Sequence, residues 1–508
     1  MKKIQSLKLS LYYVFSLLLF LTVKPSFAMQ IDTTAIVAGT AKLTGQVTIP
    51  KGVSKDNIYV KVTVAHPISG EFVKYSVITD SSGKFSIDAD VETTTSLIHF
   101  STTLNPNKSL LVKLKSGEVT NLDMTYNSGF DIEKFNITPQ MNQNDMSRFY
   151  NIMGNMITYV PARKLEPLYN KSIEYFLNYN KTGLSDYLLI AKNDTLISEE
   201  LKSLLHDEFR LFFYKGAIFD YHKAMIANFS NTNNNKDEKP IIQKIDKSYY
   251  RFLRDFKLND PKYLRLPTFL EFQVKVLENE TLAIPKIDET DIPTWLKNVK
   301  GILADLVGFS DGQYYDILVA NAYGRQLTEE LRPLTEKQKE NIQNYWGDGE
   351  IAKILLRKNQ KVAELDKFKS PVVINDVSSI TPERVIETIL SKHKGKVILI
   401  DLWATWCAPC LEAMQRFRPA KAEFHDKDVV FVYLTNHSSE PKLWEEKIKG
   451  IGSQQYYLDD KQWEYIMTKF EFEYIPSYLL YDKKGTLNNK FSAFPENDEV
   501  KKMLNDIL

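Results

Sequence analysis

From about residue 41 to residue 126, apolar side chains recur at every second position. Ile58, Val60, Val62 and Val64 alternate with Tyr59, Lys61 and Thr63, and Leu122, Met124 and Tyr126 alternate with Asn121, Asp123 and Thr125, the signature of half-buried strands. Asp80-Ser81-Ser82-Gly83 supplies a turn, and Lys84-Phe85-Ser86-Ile87 resumes the alternation. Short strands and turns without helical periodicity predict a β-sandwich over residues 35–127. Past residue 129 the period lengthens. Leu201, Leu204, Leu205, Phe209, Phe212 and Phe213 recur at helical spacing, and no proline interrupts residues 198–229. Asn231 to Asn235 and Pro240 then break the pattern. Further helices are predicted around Leu296–Leu306 and Thr335–Trp346, so residues 129–360 read as a mainly α-helical domain with no fixed repeat.

A third texture begins near residue 365. The apolar runs Val397–Ile400 and Val429–Leu434 have the length of strands buried on both faces. Between them, residues 408–425 carry no glycine and place Leu411, Met414, Phe417 and Ala420 at helical spacing. Residues 365–508 therefore read as an α/β domain built on a β-α-β unit. A length of 508 residues with 43% hydrophobic content suits a chain of about three domains.

Composition changes the picture at three points. Lys+Arg and Asp+Glu nearly cancel, 65 against 64, and no basic stretch interleaved with aromatics would track a phosphate backbone, which argues against nucleic acid as a partner. Lys2, Lys3 and Lys8 precede the apolar run Leu9–Val23, and Ser26-Phe27-Ala28 follows. That run is shorter than the roughly 20 residues a membrane span needs, so residues 1–28 are expected to be a signal peptide cleaved after Ala28. Export of the mature chain is expected from it. The 7 histidines show no ligand spacing, with His206 and His222 sixteen residues apart, and no P-loop or dinucleotide turn occurs. No metal and no cofactor are expected.

The third point is cysteine usage. The chain has 2 cysteines, Cys407 and Cys410. Disulfides that stabilise exported proteins usually come in numbers, and a bridge over so short a loop adds little stability. The pair is there to react. A thiol reacts as its thiolate, and a helix N-terminus favours that anion through unpaired N–H groups and a partial positive charge. Cys407 is thus the expected nucleophile and Cys410, one turn on, the resolving thiol. Pro409 falls in the first helical turn, where its missing N–H is harmless.

The segment Ile398-Leu-Ile-Asp401-Leu-Trp403-Ala-Thr-Trp406-Cys407-Ala-Pro409-Cys410 resembles the active-site segment of thioredoxin-fold oxidoreductases. Its Trp-Ala-Thr-Trp-Cys form is similar to the exported TlpA-like branch. The resemblance covers only about residues 365–508. It implies that Asp401 is a buried acid serving proton transfer at the resolving thiol, and that Trp406 shapes the substrate face. It also implies that Ile475-Pro476-Ser477 is a cis-proline loop pairing with the substrate chain. Two departures stand out. Ser492 occupies a position where the family commonly has glycine, which would narrow the substrate approach. Asn436-His437-Ser438-Ser439-Glu440 resembles a longer connection that brings His437 towards the site.

The expected function is thiol–disulfide exchange with protein disulfide or dithiol substrates. Ile475 before the proline resembles the reducing members, which would require a membrane partner to supply electrons. The alternative is a binding or scaffold protein of the cell envelope whose disulfide is redox-inert. Zinc binding is disfavoured, since one Cys-x-x-Cys pair offers two of the four ligands a structural site needs.

Overall fold

The computed structural model describes residues 34–508 apart from 51, 53–56, 163 and 234–237. The expected signal peptide lies outside the described residues. No helix among the described residues is long and apolar enough to cross a membrane.

The N-terminal part is rich in sheet. Its strands are β1 (Ile36–Thr48), β2 (Tyr59–His66), β3 (Glu71–Ile78), β4 (Lys84–Thr93), β5 (Thr95–Thr102), β6 (Leu110–Lys115), β7 (Val119–Tyr126) and β8 (Ile132–Thr138). They form two four-stranded sheets, ordered β4-β1-β7-β8 and β3-β2-β5-β6. The β1–β7 pairing is parallel, and the other pairs in these sheets are antiparallel. The alternation has the physical consequence expected of it. Val60, Val62 and Val64 of β2 meet Ile87, Ala89 and Val91 of β4 and Leu122, Met124 and Tyr126 of β7 in one buried core. The intervening Tyr59, Lys61 and Thr63 stay partly exposed. Strand β8 extends this part beyond residue 127, into the stretch assigned to helices. It is an edge strand in which Ile137 alone is buried, so its sequence carries little alternation to detect.

The middle is helical: α1 (Gln143–Thr158), α2 (Ile173–Lys192), α3 (Glu199–Phe213), α4 (Tyr221–Thr232), α5 (Pro267–Glu278), α6 (Ile292–Val307), α7 (Gln313–Thr328), α8 (Glu336–Trp346) and α9 (Glu350–Asp366). Caps set the boundaries. Ser198 accepts from the Leu201 N–H at the start of α3, and Thr335 and Gln338 form a reciprocal capping box on α8. Gly308 ends α6 in the left-handed region at φ 85°. The proline-free run 198–229 is not one helix. After α3 the chain takes a π-helical turn, Tyr214–Ile218, and the Asp220 side chain then caps a new helix by accepting from the Lys223 N–H.

The C-terminal part comprises β9 (Val372–Asn375), α10 (Val385–Lys392), β10 (Val397–Leu402), α11 (Ala408–Ala422), β11 (Val429–Asn436), α12 (Pro441–Ile451), β12 (Ser453–Leu458), α13 (Asp460–Lys469), β13 (Ser477–Tyr481), β14 (Leu487–Ser492) and α14 (Asn497–Asp506). One mixed sheet runs β14-β13-β10-β11-β12-β9. Strand β10 lies between parallel β11 and antiparallel β13, and all of its residues are buried. Apolar clusters cover both faces of the sheet, as the continuous apolar run requires.

Polar contacts and close backbone approaches tie the three parts together. Asn321 of α7 donates to the carbonyls of Pro67 (2.8 Å) and Ile68 (2.9 Å) in the β2–β3 turn. One turn on, Gly324 leaves room for the Ser69 carbonyl, which a β-carbon would overlap. Gly450 of α12 accommodates the Glu330 carbonyl in the same way. Arg418 of α11 donates to the Leu331 carbonyl (2.7 Å) and to Asp366 (3.0 Å). Glu71 touches all three parts, since this β3 residue accepts from Lys358 of α9 (2.6 Å) and Gln415 of α11 (2.8 Å).

Candidate redox site

Strand β10 ends at Leu402, and a short connection delivers the chain to Cys407, the N-cap of α11. Cys407 and Cys410 are joined as a disulfide. The Cys407 sulfur accepts from the Cys410 N–H at 3.2 Å, and the Cys407 carbonyl accepts from the N–H groups of Cys410 and Leu411. A thiolate at this Sγ would accept from the Cys410 N–H at the positive end of the helix dipole, the environment that lowers a thiol pKa. In the disulfide form both residues are covered, Cys407 at 2% exposure and Cys410 at 0%.

Around the disulfide the surface is apolar and open. Trp406 is 63% exposed and Tyr474 56%, while Ile475 is half-buried and Pro476 buried. The Ile475–Pro476 peptide is cis. The loop after β11 holds this face in place. Trp406 Nε1 donates to Ser438 Oγ (3.0 Å), and the Thr405 N–H donates to Ser439 Oγ (2.9 Å). Ser439 is itself buried, with its hydroxyl 2.7 Å from that of Thr435 and its carbonyl accepting from the Tyr457 hydroxyl. Ser438 and Ser439 are thus positioning residues that sequence reasoning passed over in favour of their neighbour. His437 is turned aside, with Nδ1 3.7 Å from Asp460 and its ring against Tyr457. Ser492 is folded back so that its hydroxyl lies 2.7 Å from that of Ser477. The left-handed position that suits glycine falls one residue later, on Ala493 at φ 61°.

Beneath the helix lies Asp401, with no hydrogen-bond partner for Oδ1 among the described residues. It shares a cavity of about 20 Å³ with Lys421, Tyr433 and Tyr478, enough for about one water molecule. Burial pushes the Asp401 carboxyl well above the ordinary carboxylate range, and the Lys421 charge pulls it partly back. Lys421 is the converse case: burial, with the charge of Arg418 adding to it and that of Asp401 opposing, pushes its ammonium down to about 7. The residue as a whole is half-buried. Nζ lies inside, donating to the Tyr433 hydroxyl (3.0 Å) and the Ile451 carbonyl (3.3 Å). Sequence reasoning missed Lys421, although a signal was present. It follows Cys410, Met414 and Phe417 on the buried stripe of α11, a place where a lysine is uncommon unless paired.

A dithiol/disulfide couple capping a helix above a buried acid can exchange disulfides and move the accompanying proton. Residues 395–487 match the family described as Thioredoxin-like. A thioredoxin of Coprinus comatus is 30% identical over 70 residues, 14% of this chain and 66% of its own length. The thiol-disulfide oxidoreductase ResA of Geobacillus kaustophilus is 24% identical over 138 residues, 26% of this chain and 78% of its own. The solved thioredoxin domain of a thiol-disulfide oxidoreductase from Bacteroides vulgatus is 21% identical, with a TM-score of 0.21, covering 23% of this chain and 84% of that one. This chain spans just under two thirds of the length of the first of these relatives. The C-terminal part is a thioredoxin-like domain carrying a thiol–disulfide oxidoreductase centre. The Trp-Ala-Thr-Trp-Cys segment resembles the TlpA-like kind, and the likeness is confined to the C-terminal part.

Proposed function

We propose that the protein is an exported thiol–disulfide oxidoreductase of the bacterial periplasm or cell envelope, working as a disulfide reductase on protein substrates. The observation that carries this reading is the Cys407–Cys410 disulfide at the N-terminus of α11, with Asp401 buried beneath it. In the proposed cycle the Cys407 thiolate attacks a substrate disulfide, forms a mixed disulfide and releases one substrate thiol. Cys410, deprotonated with the help of Asp401, then attacks Cys407 Sγ. That step expels the second substrate thiol and leaves the Cys407–Cys410 disulfide. Two electrons pass to the substrate, so a membrane dithiol partner must return them. Trp406, Ile475 and Pro476 form the face that the substrate chain lies against.

The remainder of the chain is assigned to two further domains: a β-sandwich over residues 35–127, extended by β8, and a helical domain that starts after it and runs past residue 360 to the end of α9. The thioredoxin-like domain follows α9 from residue 367, two residues later than the change of sequence pattern. Support for export comes from residues 1–28, and support for the reducing direction from Ile475 before Pro476. Equilibration with glutathione or dithiothreitol buffers tests the direction. The midpoint is expected near the reducing end of the range spanned by dithiol proteins, about −270 mV, and a midpoint near about −120 mV would make the protein an oxidant instead.

A further inference from the structure

A groove of about 780 Å³ separates the outer face of the sheet β3-β2-β5-β6 from α11 and the first turn of α14. Its floor follows from the strand register. Lys74, Thr63 and His99 lie side by side across β3, β2 and β5, and Ser76, Lys61 and Ser101 form the next row. Its wall includes Glu412, Gln415 and Arg416 of α11 with Glu496 and Asp498 at α14. On a helix, positions 408, 412, 415/416 and 419 share one stripe. The stripe facing the groove therefore begins at Ala408, the exposed residue directly after Cys407. From Ala408 to Pro419 the helix rises roughly 16 Å, which matches about five residues of extended chain.

We infer that this groove receives an extended, mixed-charge polypeptide segment flanking the disulfide that Cys407 attacks; the inference rests on the redox reading above. Charge selects the occupant. The floor carries Lys61 and Lys74, the facing wall carries Glu412, Glu496 and Asp498 beside Arg416, and the cations of α9 at the far end are already paired with Asp90 and Glu71. A polyanion or a polycation would meet repulsion from one side, whereas a chain with both signs finds partners on each. Two ion pairs now span the gap, Lys61 to Glu496 (2.6 Å) and Lys74 to Glu412. Both are partly exposed, and pairs of this kind hold weakly, so a substrate's charges can replace either member. Floor hydroxyls at Thr63, Ser76 and Ser101 add hydrogen-bonding positions along the same path. On this account the sheet-rich part contributes half of the substrate site.

The test compares two probes with one leaving group, each presented to full-length protein reduced beforehand. One is a pool of peptides with mixed-charge residues randomised at several positions on either side of a cysteine carrying thionitrobenzoate. The other is glutathione carrying the same group. Attack by Cys407 on the probe's cysteine sulfur releases coloured thionitrobenzoate in both cases. Wild type is expected to react at least about tenfold faster with the peptide pool. The groove-filling variants Thr63→Trp and Ser76→Trp, both at outward strand positions, are expected to lose that advantage while their rate with the glutathione probe is unchanged. Thermal melting checks that they fold. A peptide-to-glutathione ratio near one in wild type, or one untouched in the folded variants, overturns the groove assignment. No release from either probe overturns the redox reading instead.

Discussion

Replacing Cys407 by serine is expected to lower disulfide exchange by at least about a thousandfold, the scale seen when the nucleophile of a catalytic unit is removed. The hydroxyl does not ionise near neutral pH, and the sulfur that must enter the mixed disulfide is gone. The fold should be nearly untouched. The Cys407–Cys410 bridge closes a loop too short for its loss to cost much denatured-state entropy, and a serine hydroxyl can accept from the Cys410 N–H where Sγ does now. Loss of activity with an unchanged melting temperature therefore separates a reactive pair from a structural one. Full biological function in Cys407→Ser would instead favour a scaffold with an inert disulfide.

The second large effect is expected at Asp401, where rate and stability should move in opposite directions. Asp401→Asn removes the group proposed to take the proton from Cys410, and loss of a positioned acid–base group costs about a hundredfold or more. The same change should stabilise the protein at neutral pH. The folded-state pKa of Asp401 is raised by burial, above an unfolded value of about 3.9. Its favourable contribution is thus fully present below about pH 4 and is lost as pH rises through the folded pKa. Asparagine does not titrate, so the variant's advantage over wild type should grow with pH from about 4 and level off once the wild-type carboxyl is ionised. Chemical denaturation at pH 4 and pH 8 reads this directly. An equal difference at both values would mean that Asp401 ionises in the fold as freely as in the unfolded chain.

Much of the redox site was legible because its parts lie close together in sequence. Asp401, Trp406, Cys407, Pro409 and Cys410 sit within ten residues, and the apolar run before them leaves little choice but a buried strand leading to a helix. The β2 alternation was equally direct, since its two faces meet different solvents. What stayed hidden depends on tertiary register. Ser438 and Ser439 matter only because β11 lies beside β10 and carries its following loop to Trp406. Lys421 reads as an ordinary helix-end lysine until Asp401 and Tyr433 are seen beside it. The groove exists only where the outer face of β2 and β3 meets α11, more than three hundred residues later in the chain. The break between α3 and α4 was hidden for a local reason: an aspartate cap restarts a helix as firmly as a proline ends one, without the proline's visibility.

In the proposed cycle Cys407 attacks and Cys410 resolves, with Asp401 beneath them. The most direct test is to mix reduced Cys410→Ser protein with a disulfide-bonded polypeptide and map the trapped adduct by mass spectrometry of proteolytic fragments. The mixed disulfide is expected on Cys407 and to persist until a reductant is added. Absence of an adduct, or an adduct that accumulates on Cys410 in the complementary Cys407→Ser protein, would contradict the assignment.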